Sequence, residues 1–240
     1  NYVLDGKTIS SGKVTTLSEY SIVSENRVTA IPSETPSVLA AMLGCSLTTA
    51  LGIIDNECDL KFGETVAIIG CGGVGLNLIQ AATMRSPLKI YGVDINRKMI
   101  DLTYIMGATL FTESINDIEK SIDVIIDTTG IPQVIADAYN KLAPSGRLIL
   151  VGQPAPGKGV ELPNAVSMFD GTGKSVKATQ GGGTIPHVDI PRYIELASKG
   201  IISYEQLHTD TFTLDEVNDA FDLLKSGSAG RIMIKIGDVE

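Results

Sequence analysis

The sequence predicts an α/β fold whose core is a parallel, doubly wound sheet covered by helices on both faces. Short, continuous apolar runs alternate along the 240 residues with longer segments that carry apolar residues at helical spacing. Strands buried on both faces read as such runs, and parallel neighbours need a crossover helix between them. The strands predicted on these grounds span 65–69, 88–93, 123–126 and 147–151, and glycine-marked loops on either side delimit another at 175–178.

The helices are predicted from apolar spacing and from the residues that end them. After Pro36, residues 37–51 are small and apolar and predict one buried helix that carries Cys45 on it or at its end. The helix that follows the first strand ends before a Ser-Pro pair. The remaining elements are helices at 76–84, 97–106, 132–142, 189–198 and 214–224 and a closing strand at 231–236.

Composition and charge exclude several classes of function. The chain is 43% hydrophobic, carries a formal net charge of -9 and contains no basic run, so a nucleic-acid surface is not expected. No apolar run is long enough to cross a bilayer. Cys45, Cys58 and Cys71 have no CxxC spacing, which argues against a disulfide framework or a four-thiolate zinc site and favours a reducing cytoplasm. The polar segment that begins at Asn1 does not have the pattern of a signal peptide, and we expect Asn1 to be a cut end.

A glycine motif follows the first predicted strand directly. The segment GCGGVG begins at Gly70 and precedes a helix, which is the context that gives the GxGxxG pattern meaning. Gly70 permits the tight turn, Gly72 lets a pyrophosphate approach the backbone, and Gly75 lets helix and strand pack closely. Gly73 and Val74 complete the motif, and the N-terminus of the helix supplies unpaired N–H groups that favour phosphate. The sequence therefore predicts a Rossmann-type dinucleotide-binding domain.

An acid at the end of the second strand bears on which dinucleotide binds. Asp94 lies where a carboxylate accepts the ribose hydroxyls of adenosine, which favours NAD over NADP, with Ile95 beside it. The basic residue Arg97, which follows Asp94, keeps NADP possible as the cofactor. Asp94 can instead be the N-cap of the next helix, a role that Asn96 can also fill. A methyltransferase that binds S-adenosylmethionine uses a similar acid, but three glycines in dinucleotide register fit a pyrophosphate better.

From residue 12 to residue 236 the chain resembles the later two thirds of medium-chain zinc alcohol dehydrogenases. The resemblance is carried by 18–20 (SEY), 43–50 (LGCSLTTA), 66–75, 92–96 and 221–227 (FDLLKSG). It implies that Cys45 ligates the catalytic zinc and that Thr49 packs near the nicotinamide. It also implies cofactor contacts from Thr128 after the third strand, from the carboxamide-binding stretch Val151 and Gly152, and from Arg231, which meets the pyrophosphate.

The zinc ligands expected from this resemblance are incomplete. A catalytic zinc takes three protein ligands, whereas the only histidines are His187 and His208, predicted to lie on loops, and no Gly-His-Glu segment is present. We therefore expect residues 1–40 to be a remnant of a β-rich, GroES-like catalytic domain, 41–185 to be the Rossmann domain and 186–240 to return to the catalytic domain. Zinc is expected in the complete enzyme and not in this chain alone.

The function that this pattern favours is an NAD-dependent alcohol or polyol dehydrogenase in which zinc polarises the alcohol oxygen and a hydride passes to the nicotinamide. This chain would supply the cofactor half and would not be active alone. The open alternatives are a zinc-free quinone or enoyl reductase, against which Cys45 argues, and a non-catalytic NAD-binding module. The expected partners are a small alcohol or carbonyl substrate and a further copy of the chain, paired through a sheet edge sought at 151–160.

Overall fold

A computed structural model describes residues 2–9, 16–167, 169, 171–227 and 229–237. The strands, in chain order, are β1 (Tyr2–Leu4), β2 (Lys7–Ile9), β3 (Thr65–Ile69), β4 (Lys89–Val93), β5 (Leu110–Thr112), β6 (Ile122–Asp127), β7 (Leu142–Leu150), β8 (Ser175–Ala178), β9 (His208–Thr213) and β10 (Arg231–Lys235). The α-helices are α1 (Ser37–Leu43), α2 (Ser46–Gly52), α3 (Gly73–Thr83), α4 (Ile100–Ile105), α5 (Pro132–Lys141), α6 (Pro186–Ser198) and α7 (Val217–Lys225).

Six parallel strands form the central sheet, in the order β5-β4-β3-β6-β7-β8. The chain enters at β3 in the middle, adds β4 and β5 on one side, and then crosses to add β6, β7 and β8 on the other. This order confirms the doubly wound Rossmann fold, and the crevice where the order reverses lies at the carboxyl ends of β4, β3 and β6. The hairpin β1-β2 and the parallel pair β9-β10 lie outside the sheet.

The core lies on both faces of the sheet, because side chains along a strand alternate between faces. Val66 and Ile68 of β3 belong to one apolar cluster, which includes residues of α1, α2, α3 and α6. Ala67 and Ile69 belong to the other, which includes residues of α5. The predicted burial on two sides is thus confirmed for β3, the strand that leads to the glycine turn.

The prediction of one helix over 37–51 is wrong, since α1 ends at Leu43 and a second helical segment, Ser46–Glu57, lies at an angle of 55° to it. This segment consists of α2 and the π-helical turn Ile53–Glu57 that continues it. Cys45 is exposed at this break, at the N-cap of α2. In the described part of the chain, no single helix is long and apolar enough to span a membrane, although this bent pair meets both criteria together. The predicted helix 97–106 is likewise divided, into a 3-10 turn at Arg97–Met99 and α4.

Further expectations are corrected by the course of the chain. Residues 151–160 are not an edge strand, because they lie in the loop between β7 and β8, and the sheet edge on that side is β8. The loop positions predicted for His187 and His208 are also wrong, because His187 lies in the first turn of α6 and His208 opens β9. The edge strand β5 was not predicted. The domain division at residues 40 and 185 stays a prediction, and all six strands of the sheet lie between those positions.

Candidate functional site

Two glycines of the turn between β3 and α3 are required by the fold itself. Gly70 has φ +90°, a conformation that favours glycine, and a Cβ on it would overlap the Thr128 hydroxyl. A Cβ on Gly75 would overlap the carbonyl oxygen of Gly70, so the helix can approach the strand only without a side chain there. These contacts are the packing roles that the motif assigns to its first and third glycines.

Gly72 and Gly73 differ from the other two, because contacts with the sheet do not require them. A Cβ on Gly72 would meet nothing within 4 Å, so no described contact demands glycine here. A Cβ on Gly73 would lie 2.5 Å from Arg231 Cδ and 3.0 Å from a guanidinium nitrogen of the same side chain. Gly73 and Val74 are the first two residues of α3, which begins earlier than predicted. Arg231, the first residue of β10, therefore lies over the N-terminus of this helix.

Arg231 is partly removed from water at this position. Its burial lowers the pKa of the guanidinium below the ordinary value, and Cys45 acts in the opposite direction. A partly buried cation and a helix N-terminus both favour an anion, because each supplies positive charge together with N–H donors. The turn therefore combines open backbone at Gly72 with a guanidinium beside it.

Asp94 is fixed to the glycine turn by its own carboxylate. One oxygen accepts a hydrogen bond from the Cys71 N–H at 2.7 Å, and the other accepts from the Asn96 N–H at 2.8 Å. Asn96, rather than Asp94, caps the following 3-10 turn, since its side-chain oxygen accepts from the Lys98 N–H. The half-buried Asp94 carboxylate stays beside the crevice where the strand order reverses.

A pocket of about 260 Å³ opens beside Asp94 at the carboxyl ends of β3, β4 and β6. Two of its lining residues, Ile95 and Ile131, expose 86% and 51% of their surface, which makes them apolar lips. The pocket is acidic, with carboxylates from Asp94, Glu113 and Asp137. Its size, apolar lips and acidic wall suit an adenosine without a 2′-phosphate.

Arg97 does not offset the acidity of this pocket, because it is already paired. Its guanidinium donates to Glu113 through Nε at 2.7 Å and through a terminal nitrogen, and the pair is exposed. The charge of Arg97, which kept NADP possible as the cofactor on the sequence alone, is thus paired with the Glu113 carboxylate in the pocket wall. Ile131 is a pocket residue that sequence reasoning missed, because it follows a different strand from Asp94 and no local motif marks it.

A second pocket, of about 460 Å³, contains Cys45 and Thr49. The two residues are one helical turn apart, and the Thr49 N–H donates to the Cys45 carbonyl at 2.9 Å. Residues from distant parts of the chain complete the wall, among them Arg27, Gln180 and Thr184. The structure therefore brings together the two residues expected at the zinc and the nicotinamide and surrounds them with residues that were not predicted.

A close backbone contact places Gln180 and Thr184 in this pocket. Between them, Gly182 has φ +65°, and a Cβ on it would lie 2.6 Å from the Thr49 carbonyl oxygen. The carbonyl of Gly182 accepts a hydrogen bond from the Asn56 side chain at 3.0 Å. The glycine triplet, which marked only a loop in the sequence, is thus the signal that this segment packs directly on α2.

The remaining predicted cofactor residues surround the end of β6. The Thr128 hydroxyl donates to the Gly70 carbonyl oxygen at 3.1 Å, so it braces the glycine turn. The N–H groups of Val151 and Gly152 donate to the Asp127 carbonyl at 2.8 and 3.1 Å. Thr128 therefore supports the turn from the neighbouring strand, and the 151–152 backbone is held beside it.

A zinc site is not assembled from the residues that the structure describes. Within them, no three side chains of His, Cys, Asp or Glu come close enough together to hold a metal ion. His208 contacts the Thr211 hydroxyl at 2.7 Å. Cys58 and Cys71 are buried, and burial raises the pKa of each thiol to about 12. Cys45 can supply one ligand, which falls short of the three that a catalytic zinc takes.

A further cavity, of about 480 Å³, lies between α2, α3 and α6 and includes no residue of the glycine turn. Charged side chains at its rim are paired with one another, as Arg85 is with Asp55 and Lys199 is with Glu195. We therefore place the candidate site at the two other pockets, which contain the predicted residues and border the crevice or Cys45.

Comparison with known proteins identifies relatives of this chain in sequence and in fold. A family model described as zinc-binding dehydrogenase matches residues 73–199, which is more than half of the chain. S-(hydroxymethyl)glutathione dehydrogenase from Saccharomyces cerevisiae is 30% identical over 240 residues, a match that covers 94% of this chain and 61% of that protein. The chain thus spans less than two thirds of this relative's length.

Solved structures share the fold. An alcohol dehydrogenase zinc-binding domain protein from Burkholderia ambifaria superposes with a TM-score of 0.84 at 24% identity, over 93% of this chain and 62% of that one. Benzyl alcohol dehydrogenase from Acinetobacter calcoaceticus gives a TM-score of 0.83 at 23% identity, over 90% of this chain and 62% of its own. At these identities the likeness establishes the architecture.

Proposed function

This chain belongs to the family of zinc-binding dehydrogenases, and from that premise we propose that it is the NAD(H)-binding part of an alcohol dehydrogenase. The observation that carries the proposal is Gly72, an open backbone position at the N-terminus of α3, followed by Gly73, over which the Arg231 guanidinium lies. A pyrophosphate fits there, because the helix N-terminus and the guanidinium supply donors and positive charge and no side chain intervenes.

The adenosine end of the cofactor belongs in the 260 Å³ pocket. Asp94 would accept hydrogen bonds from the ribose hydroxyls, and Ile95 and Ile131 would contact the adenine ring. Asp94 and Asp137 in the wall would repel a 2′-phosphate, and Arg97, the nearby cation, is paired with the third acid, Glu113. These contacts support NAD(H) over NADP(H) as the cofactor.

The nicotinamide end belongs in the 460 Å³ pocket, where Thr49 would pack against the ring. When bound, NAD supplies the acceptor for a hydride from an alcohol carbon. Thr49 would hold the ring in place, and Gln180 and Thr184 would bound the space left for a small alcohol or carbonyl substrate. Cys45 lies in the same pocket, but the described residues do not complete a zinc site.

Cofactor titrations test this proposal. NADH should bind more tightly than NADPH, and Asp94→Ala should weaken NADH binding by about 1 to 3 kcal/mol, because it leaves buried hydrogen-bonding groups unmatched. Asp101→Ala, which removes an exposed acid from α4, is the matched control and should leave the affinity unchanged. Equal affinity of the unmodified chain for NADH and NADPH would refute the assignment of Asp94.

We also propose that copies of the chain associate through β8. In the described part of the chain this edge strand pairs only with β7, so its other side offers N–H and C=O groups to a second strand. All four of its residues are exposed, and the loop before it exposes Val166 and Phe169. Sedimentation equilibrium should show a dimer that Val176→Lys weakens, and a monomeric unmodified chain would contradict the proposal.

A further inference from the structure

Asp127 is a buried carboxylate at the site that the proposed function does not use. It is the last residue of β6, and none of its surface is exposed. One oxygen accepts from the Thr129 hydroxyl at 2.7 Å and from the Thr129 N–H at 3.3 Å, and the other accepts from the Gly130 N–H at 2.9 Å. Burying a carboxylate is costly unless such donors compensate it.

These hydrogen bonds fix a turn that forms part of the adenosine pocket. Thr129 and Ile131 line the 260 Å³ pocket, and Gly130 lies between them with φ +67°. The Thr129 hydroxyl also accepts from the Ile131 N–H at 3.2 Å, so the chain of bonds runs from Asp127 to the apolar lip. The position of this lip therefore depends on the Asp127 carboxylate.

The same residue holds the 151–153 segment. The Asp127 carbonyl accepts from the N–H groups of Val151 and Gly152. A Cβ on Gly130 would lie between 2.5 and 2.7 Å from backbone atoms of Gln153, so the two turns pack backbone against backbone. The turn that the Asp127 carboxylate fixes therefore packs on a second segment at the carboxyl end of the sheet, which the main chain of Asp127 also contacts.

We propose that Asp127 is a positioning residue for the dinucleotide: it touches no part of the cofactor and sets the turn Thr129–Gly130–Ile131 against residues 151–153. The inference rests on the proposed function, since it concerns the same cofactor. The competing explanation is that Asp127 only stabilises the fold and has no effect on cofactor binding.

Asp123, near the amino end of β6, provides a matched control. Its carboxylate accepts from the Thr65 N–H at 2.8 Å and from the Thr65 hydroxyl at 2.7 Å. It therefore has the same kinds of partner as Asp127, a backbone N–H and a threonine hydroxyl, but it lies far from the crevice along the strand. Asparagine at either position keeps one acceptor oxygen and replaces the other with a donor.

The experiment compares Asp127→Asn with Asp123→Asn, measuring NADH affinity and the free energy of unfolding by urea. Both variants should be destabilised, but only Asp127→Asn should lose NADH affinity, by about 10- to 100-fold, as expected for bonds to a charged group. Thr129→Val, which removes one bond and keeps the acid, should lose about 3- to 10-fold. In the double variant the two losses should not add, because Asp127 acts through Thr129.

Several results would overturn the inference. NADH binding by Asp127→Asn at the unmodified affinity would do so, as would an equal loss in Asp123→Asn. If Asp127→Asn does not fold, unmodified binding by Thr129→Val would overturn it instead. Failure of the unmodified chain to bind NADH would refute the proposed function and this inference with it, whereas binding that is indifferent to Asp127 refutes this inference alone.

Discussion

Replacing Gly72 with valine should separate cofactor binding from folding. Gly72 has φ −79° and ψ −166°, which any residue adopts, and its added Cβ would meet nothing within 4 Å. Valine restricts the unfolded chain more than glycine does, and it is a poorer helix N-cap, so the two effects oppose each other. The free energy of unfolding should therefore change by no more than about 1 kcal/mol.

The effect on binding should be far larger. The valine side chain would occupy the space through which a pyrophosphate reaches the N–H groups at the start of α3. Charge-assisted hydrogen bonds contribute about 1.5 to 3 kcal/mol each, so losing two of them costs about 3 kcal/mol or more. The dissociation constant for NADH should rise by at least about 100-fold.

Calorimetric titration with NADH and urea unfolding of the same samples measure the two effects separately. Gly75→Val is the contrasting variant, because its side chain would overlap the Gly70 carbonyl and should prevent the native turn from forming. A folded Gly72→Val that binds NADH as tightly as the unmodified chain would show that the turn does not hold the pyrophosphate.

Four further predictions concern charge, thiol reactivity, pH and metal. Arg231→Met should weaken NADH binding by about 10-fold or more, since it removes the cation over Gly73, and an unchanged titration would contradict this. Alkylation of the native chain at about pH 8 should modify Cys45 alone, with all three thiols reacting in urea, because burial raises the pKa of Cys58 and Cys71 to about 12. The unfolded thiols ionise from their ordinary value of 9.0 while the folded ones keep their protons, so the free energy of unfolding should fall as the pH rises from there towards 12. The chain should purify without stoichiometric zinc and show negligible alcohol oxidation when zinc is added; one tightly held zinc per chain, lost in Cys45→Ser, would contradict this.

Strands could be predicted from local sequence where turn-forming residues delimit a short run. β3 and β8 have the predicted bounds, although β3 is buried and β8 is exposed, because glycines lie close to the ends of both. β5 was missed, since its three residues form a partly exposed edge strand with no distinctive run. The break at Cys45 was also missed, because small and apolar residues continue through it and tertiary packing decides where the helix ends.

From the residues alone, the candidate site was predictable only where its members are close together in the sequence. The more distant members Thr128, Val151, Gly152 and Arg231 were expected only from the family resemblance. The glycine turn and Asp94 follow two neighbouring strands, so the motif and its spacing identify them. Arg27, Gln180 and Ile131 come from three distant segments, and the places of the last two depend on how the Gly182 turn packs on α2 and how β6 ends. No periodicity in the sequence encodes such contacts.

Under the proposed function, the two pockets favour one orientation of the dinucleotide. The 260 Å³ pocket carries three carboxylates and two exposed isoleucines, which suits a ribose and a flat ring and opposes phosphate. The 460 Å³ pocket has Arg27 and, among the described residues that line it, no acid. Arg231 lies against Gly73 at the start of α3, and the Cys45 side chain of the second pocket acts to raise the pKa of its guanidinium. We therefore propose that, with the pyrophosphate at the start of α3, the adenosine points towards Asp94 and the nicotinamide lies beside Thr49.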